Sequence, residues 1–361
     1  MTYSFDFFDT LPYFLLFSLV FVIIKSARKE QRLSYIMVVV LIFLGIRYGI
    51  GYDYFEYRDA ILNNNAQRDR MEPLARALIA FAEHTHYQLF FVLMSVLTVM
   101  PICYVCKRRS IDPVLSFVAY LLIPVFFLDG MSTVRNSVAY SFVMLSWFLL
   151  NDGKYKVLSV VPFLIALGFH ASSIIAVLML LLFFVRVPRN IFFFIWLFTF
   201  IVPSQTIISL IVNHSGLPFL SGALWYLDAD QEGGRFLWLL INVVCVINFT
   251  SWRKLVSLDP RNMDYLMLFA TGACIYNLFI GIDKTLALRL SNFYCLFFIL
   301  LIPHYKSVVR KYKMPSRVIY YALISLFAFY FYNVIVGSNG EKISFLPYQT
   351  IFHHIDYLNL Q

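Results

Sequence analysis

The chain has 361 residues, of which 61% are hydrophobic and 14% charged, and its formal net charge is +9. A soluble domain usually carries about 25% charged residues, so this composition excludes an ordinary soluble protein and predicts one that crosses a membrane several times. In such a protein, excess positive charge is first explained by cytoplasmic loops, and we expect no nucleic-acid partner.

Apolar segments in chain order predict an all-α polytopic membrane protein with about twelve transmembrane helices. A span needs about 20 apolar residues, and several segments are shorter, so we expect their ends to extend into the polar flanks. The stretch 156–185 could form one span or a hairpin that turns at 169–171; the hairpin keeps every later loop consistent with the charge rule. The predicted segments are 11–24, 33–46, 87–105, 113–128, 136–150, 156–169, 172–185, 190–212, 236–250, 264–281, 289–303 and 318–336.

Lys and Arg residues are concentrated in alternate connections between these segments. Such loops lie on the cytoplasmic side of a membrane, so both termini are predicted to be outside. We therefore expect one integral membrane domain over 1–361, with external loops at 47–86 and 213–235 and an external tail at 337–361. Of the 29 Lys and Arg residues, 19 lie at 25–32, 107–109, 154–156, 186–189, 253–261 and 306–317.

The first external loop begins with RYGIGYDYFEYRD, residues 47–59. Arg47 follows the end of a span, where a helix dipole already favours a cation. Asp53 and Glu56 could only balance Arg47 and Arg58; alternatively, Asp53 is a general base. In the second case, neighbouring aromatic rings would offer flat faces to a sugar: Tyr52, Tyr54 and Tyr57.

Three further arginines are predicted to lie where inward-running spans begin: Arg135, Arg235 and Arg289. A helix N-terminus favours an anion over a cation, so an arginine placed there requires a negative partner. That partner is either a neighbouring acid or an anionic substrate, because the planar fork of Arg suits phosphate and carboxylate groups. The neighbouring acids are Asp129, Glu232 and Asp283, respectively.

His170, in GFHASS, lies at the tip of the predicted hairpin. It is either structural or an acid/base group that titrates near physiological pH. The external sequence DADQE contains Asp228 and Asp230, which match a metal–diphosphate pattern but equally suit a solvated acidic loop. We expect no metal and no cofactor.

Five sequence motifs together resemble the EpsG family, which belongs to the wider set of Wzy-type polymerases of bacterial surface polysaccharides. In chain order they are 47–57, MEPL at 71–74, MSTVRNSVAYSF at 131–142, GFHASS at 168–173, and FLPYQT near the C-terminus. Each motif alone is weak, whereas their order spans most of the chain. The family often has Gln after the central arginine, where this chain has Asn136.

The resemblance implies a metal-independent glycosyltransferase of the bacterial inner membrane. Such an enzyme joins oligosaccharide repeat units carried on undecaprenyl diphosphate at the outer face, producing an O-antigen, a capsule or an exopolysaccharide. The family residues that carry over are Arg47, Gly49, Gly51, Asp53, Tyr54, Glu72, Pro73, Arg135 and His170.

From these residues and the helix-end argument we predict two groups of site residues. Asp53, His170 and Arg135 are the predicted catalytic residues. The predicted substrate-binding residues, for pyrophosphate or glycan, are Arg47, Arg135, Arg289, Tyr54, Glu72 and Arg235.

The lipid-linked donor and membrane lipid are the predicted partners, with a chain-length regulator and a flippase of the same pathway. Two other functions remain open. One is an O-antigen ligase-like transferase, which uses the same donor; the other is a lipid-linked oligosaccharide transporter or flippase, which should carry charged groups at mid-membrane depth.

Overall fold

The computed structural model describes residues 7–63, 68–152, 155–185, 187–201, 235–311, 316–337 and 345–352. These residues are mostly helical. Contacts group the chain into two compact units, Met1–Ala171 with Tyr312–Gln361 and Ser172–Lys311. In the first unit the helices are α1 Leu11–Ser26, α2 Arg32–Gly45, α3 Tyr54–Leu62, α4 Pro73–Glu83, α5 Tyr87–Arg109, α6 Pro113–Leu122, α7 Pro124–Phe127, α8 Asp129–Ser132, α9 Val134–Leu150 and α10 Val160–Phe169. The second unit contains α11 Val177–Phe184, α12 Arg189–Phe198, α13 Arg235–Leu258, α14 Asn262–Phe279, α15 Lys284–Cys295 and α16 Phe298–Lys311, and α17 Ser316–Gly337 returns to the first unit.

Within the described residues, each predicted apolar segment coincides with a helix or a bent pair of helices, the segment 190–212 only as far as residue 201. Three helices there are long and apolar enough to cross a membrane, or up to five if each bent pair is one span. The remaining apolar helices are shorter. The chain is therefore a helical multi-pass membrane protein, while the number of twelve crossings and the outside position of both termini stay predictions.

The predicted break in the stretch 156–185 is present in the backbone. Helix α10 ends at Phe169, and His170 is extended, with φ −155° and ψ 119°. A short 3₁₀ helix then begins at Ala171. One continuous helix through this stretch is therefore excluded, and the side chain of His170 is presented from a helix end.

Helix α5 is central to the first unit and packs against α2, α4, α6 and α9. The side chain of His86 caps its N-terminus by accepting a hydrogen bond from the backbone N–H of Gln88. Its last turn carries Lys107, Arg108 and Arg109, where cations are favoured by the helix dipole. Helix α10 packs against both α4 and α9, so the ends of these three helices lie together.

A two-stranded antiparallel sheet joins residues that are far apart in the sequence. Strand β1, Arg47–Tyr48, pairs with β2, Gln349–Thr350, and Arg47 lies opposite Thr350. The C-terminal FLPYQT motif thus packs against the start of the 47–86 loop.

The second unit is organised around α14, which contacts α11, α12, α13, α15 and α16. A buried polar network joins three of these helices: Trp196 Nε1 donates to Asn242 Oδ1 at 2.9 Å, and Asn242 Nδ2 donates to Asn277 Oδ1 at 2.9 Å. Asn277 Nδ2 also donates to Thr199 Oγ1 at 3.0 Å. Hydrogen bonds of this kind hold helices together where water is absent.

Candidate functional site

The carboxylate of Glu72 joins three segments of the first unit. Its Oε1 lies 3.0 Å from His170 Nδ1 and accepts a hydrogen bond from the backbone N–H of Ala171, also at 3.0 Å. Its Oε2 accepts a hydrogen bond from Arg135 Nη1. Glu72 is the N-cap residue of α4, but its side chain does not cap that helix. The side chain instead contacts His170 and Arg135.

Arg135 is held along one edge of its guanidinium group. Its Nε donates to the hydroxyl of Tyr57 at 2.9 Å, and its guanidinium carbon lies 5.8 Å from the centre of the Tyr57 ring. Among the described residues, Nη2 has no hydrogen-bond partner, and 24% of the side chain is exposed. A guanidinium group that is fixed along one edge and partly exposed to solvent on the other can bind an anionic ligand.

The environment of Glu72 keeps it ionised. Burial alone would raise the pKa of this carboxyl, but the hydrogen bond with His170 and the charge of Arg135 outweigh that effect and lower the pKa from 4.5 to about 2. Because an ionised carboxylate only accepts hydrogen bonds, a neutral His170 must carry its proton on Nδ1. Its Nε2 then holds the lone pair of a base.

This pKa shift predicts a specific pH dependence of stability. A folded-state pKa lowered from 4.5 to about 2 contributes stability that is complete above pH 4.5 and is lost as the pH falls towards 2. Glu72→Gln should remove that pH-dependent part. Thermal midpoints in detergent over this pH range should therefore fall more steeply for the natural protein than for the variant. Equal slopes would contradict the prediction, and Glu56→Gln, at an exposed position of α3, is the matched control.

Two sequence motifs meet at this cluster through close helix packing. Glu72 and Pro73 begin α4, and His170 follows the last residue of α10. A Cβ placed on Gly168 would lie 2.6 Å from Leu74 Cδ1. The small residue in GFHASS therefore lets α10 approach the MEPL turn, which brings His170 to Glu72.

Gly51 fixes the 47–53 loop against the residues that precede α9. It has φ +104°, and a Cβ there would lie 1.9 Å from the carbonyl oxygen of Met131. The next residue, Tyr52, donates its backbone N–H to Ser132 Oγ at 3.2 Å. The loop backbone is thus docked three residues ahead of Arg135, and glycine is required by both its conformation and its contact.

Gly51→Ala should destabilise the protein. The disfavoured φ alone costs about 1–3 kcal/mol, and the new methyl group must also displace the carbonyl of Met131. We expect a lower thermal midpoint together with loss of activity. The matched control is Gly337→Ala, where nothing lies within 4 Å of an added Cβ. Unchanged stability of Gly51→Ala would contradict the described docking.

Arg47 is fully buried and lies in a different environment from Arg135. Its Nη1 donates to the carbonyl of Leu44 at 2.5 Å and to Ser95 Oγ at 3.2 Å, and its guanidinium carbon lies 5.3 Å from the centre of the Phe91 ring. Among the described residues Nε and Nη2 have no hydrogen-bond partner. Burial lowers the pKa of Arg47 to about 10, although nearby tyrosines, Tyr348 first, oppose the shift. It therefore stays a cation at neutral pH.

Two of the three tyrosines considered as sugar faces, Tyr54 and Tyr57, pack inside the protein, whereas Tyr52 is exposed. Tyr54 is fully buried, stacks on Phe91 at 4.2 Å between ring centres, and donates its hydroxyl to Gln88 Oε1 at 3.0 Å. Tyr57 is 4% exposed. Asp53 is the partly exposed N-cap residue of α3, and its side chain does not cap that helix. Substrate contact by Tyr54 and base catalysis by Asp53 stay predictions.

The two remaining predicted arginines belong to the second unit. Helix α15 begins at Lys284, so Arg289 lies in its second turn rather than at its start. Asp283 is the N-cap residue of α15, and its Oδ1 accepts from the backbone N–H of Leu286 at 2.6 Å. Arg235 is exposed and is the first described residue of α13. Glu232 and the pair Asp228–Asp230 lie outside the described residues.

Sequence reasoning missed the role of Tyr57 and the partner of Arg135. In one of the two alternatives for the first loop Tyr57 faced a sugar, whereas in the structure its hydroxyl accepts a hydrogen bond from Arg135. The acid considered beside Arg135 was Asp129, whereas the structure shows an ion pair with Glu72, 63 residues away in the sequence. Asn136, which follows Arg135, is buried, and neither polar atom of its side chain has a partner among the described residues.

The fold and the cluster define a multi-pass helical membrane protein with a carboxylate, a guanidinium and an imidazole gathered at helix ends. The model of the EpsG family matches residues 32–350. The chain belongs to the EpsG family, and at that level it is a polysaccharide polymerase-like membrane protein. No curated protein and no solved structure matches it.

Proposed function

We propose that the protein joins oligosaccharide repeat units carried on undecaprenyl diphosphate, at the outer face of the bacterial inner membrane. The observation that carries this proposal is the single carboxylate, Glu72, that contacts both Arg135 and His170. Glu72 therefore holds a guanidinium group, which can bind an anion, beside an imidazole group, which can accept a proton.

In the proposed reaction, a hydroxyl of the acceptor glycan attacks the anomeric carbon of the donor. The bond between that carbon and the diphosphate oxygen breaks, and undecaprenyl diphosphate leaves with the bonding electron pair. Arg135 stabilises the negative charge that develops on the leaving group. The proton of the hydroxyl passes to Nε2 of His170, whose tautomer is set by Glu72.

The other predicted residues have separate proposed roles. Asp53 is the alternative base, and Arg47 and Tyr54 stay predicted substrate-binding residues, although both are buried. Arg235 and Arg289 are proposed to bind anionic parts of the lipid-linked substrate. The proposed partners are the flippase that supplies the donor and a regulator of chain length.

We expect the reaction to be metal-independent, because arginine neutralises the leaving diphosphate. Within the described residues no group of three or more His, Cys, Asp or Glu could hold a metal ion. Polymerisation in EDTA should match that in magnesium. Activity that EDTA abolishes and magnesium or manganese restores would refute this expectation and would favour a metal role for Asp228 and Asp230.

A strain that lacks the protein tests polymerase against ligase function. A polymerase mutant should still carry surface lipid capped with a single repeat unit, because transfer of one unit does not require polymerisation. A ligase mutant should carry no capped lipid and should accumulate lipid-linked glycan instead. Gel analysis of the surface lipid separates these outcomes, and the second would contradict the proposal.

A further inference from the structure

Residues 345–352, here called the strap, contact other parts of the first unit at several points. The hydroxyl of Tyr13 donates to the carbonyl of Phe345 at 3.0 Å, and the backbone N–H of Ile351 donates to the carbonyl of Ile46 at 3.0 Å. Tyr348 stacks on Phe43 with ring centres 4.3 Å apart and donates its hydroxyl to the Phe43 carbonyl. The strap therefore holds both the end of α2 and strand β1.

Strand β1 is linked in turn to the residue that positions Arg135. Gln88 Nε2 donates to the carbonyls of Gly45 and Arg47, at 2.6 and 2.9 Å. The Oε1 atom of the same side chain accepts from Tyr54, the first residue of α3. One turn later, α3 presents Tyr57 to Arg135. A continuous set of contacts thus runs from the strap, through β1 and α3, to the guanidinium group.

We propose that the strap is a positioning element of the Glu72 site, with Tyr348 as its main positioning residue. The docked strap holds β1 and α3 so that Tyr57 fixes the edge of Arg135, and the docked state is the active one. This inference rests on the proposed function, because it takes Arg135 to bind the donor. It also gives the distant FLPYQT sequence a physical role in the reaction.

A different role for the strap would be that of a lid. It packs beside the buried Arg47, and two nitrogens of this side chain have no partner among the described residues. A strap that had to open to admit an anion to Arg47 would place the active state in the undocked form. The two roles predict opposite effects of locking the strap in place.

Hydrogen exchange tests the positioning role without any substrate. Tyr348→Ala removes both the ring stack and the hydrogen bond, so exchange of the amides in 47–62 should rise by at least about 10-fold. The matched control is Phe352→Ala, which removes a strap side chain that is 80% exposed and should change nothing. If Tyr348→Ala does not fold, Tyr348→Phe, which loses only the hydrogen bond, should show a smaller rise in the same segment. Unchanged exchange in 47–62 would overturn the proposal.

A disulfide between the strap and β1 tests activity in the docked state. Tyr48 and Gln349 are paired residues of the sheet, so Tyr48→Cys with Gln349→Cys should cross-link them. The oxidised and reduced forms should polymerise within about 2-fold of each other. With Tyr348→Ala added, activity per amount of folded protein should fall about 10-fold when reduced and recover when oxidised. A purely structural role would instead lower the amount of folded protein and leave the activity of the folded fraction unchanged.

Loss of activity on oxidation that reductant restores would show a lid and overturn the proposal, as would the absence of rescue. If the natural protein makes no polymer at all, the proposed function fails, while the exchange result still decides whether the strap positions α3.

Discussion

Arg135→Lys is expected to lower polymerisation by at least about 100-fold, the loss typical of removing one donor that stabilises developing negative charge. Arginine can bond to Tyr57 through Nε, to Glu72 through Nη1 and to a phosphate through Nη2 at the same time. Lysine keeps the charge, but its single ammonium group cannot reproduce this geometry. The measurement is polymer length on a silver-stained gel beside the amount of protein in the membrane, which should be unchanged.

The alternative is that Arg135 forms only an ion pair with Glu72 and binds no substrate. Lysine would keep a positive charge opposite the Glu72 carboxylate, so Arg135→Lys would then be nearly silent and Glu72→Ala would match Arg135→Ala. Near-normal polymer from Arg135→Lys would contradict the anion-binding role. Arg76→Lys, an exposed substitution on α4, is the matched control and should be silent.

His170→Ala is expected to lower polymerisation by at least about 100-fold, at the low end for removal of a general base. Asp53→Asn, which keeps size but removes charge, should lose less, because Glu72 orients His170 and sets its tautomer. Glu72→Gln can donate a hydrogen bond to His170, so it should disturb the tautomer and shift the pH dependence of the remaining activity.

A larger loss in Asp53→Asn than in His170→Ala would move the base to Asp53. If both variants polymerise as well as the natural protein, neither residue is catalytic. His84→Ala, an exposed histidine at the end of α4, is the control for the substitution itself.

The sequence predicted the helical elements well because apolar runs in a membrane protein have few alternatives. It predicted the break at His170 from charge in the loops, and the backbone there is extended. It placed the start of α15 too late, at Arg289, because Lys284, Thr285 and Arg289 interrupt the apolar run at the beginning of that helix.

The residues of the site could be predicted from the sequence, but the contacts between them could not. Glu72, Arg135 and His170 were all named from motifs and helix ends. Their meeting at one carboxylate could not be predicted, because it depends on how α4, α9 and α10 pack over separations of 63 and 98 residues. For the same reason the contact of Tyr57 with Arg135 and the strap over β1 were not predicted.

The most direct test of the polymerase proposal uses purified protein and one defined repeat unit linked to undecaprenyl diphosphate. The account predicts a ladder of products that differ by one repeat unit, together with release of undecaprenyl diphosphate. The ladder should be lost in Arg135→Lys and retained in Arg76→Lys. The polymerase proposal would be contradicted if the donor remained a single repeat unit in the presence of folded protein. It would also be contradicted if the protein only moved the donor across the membrane of a vesicle.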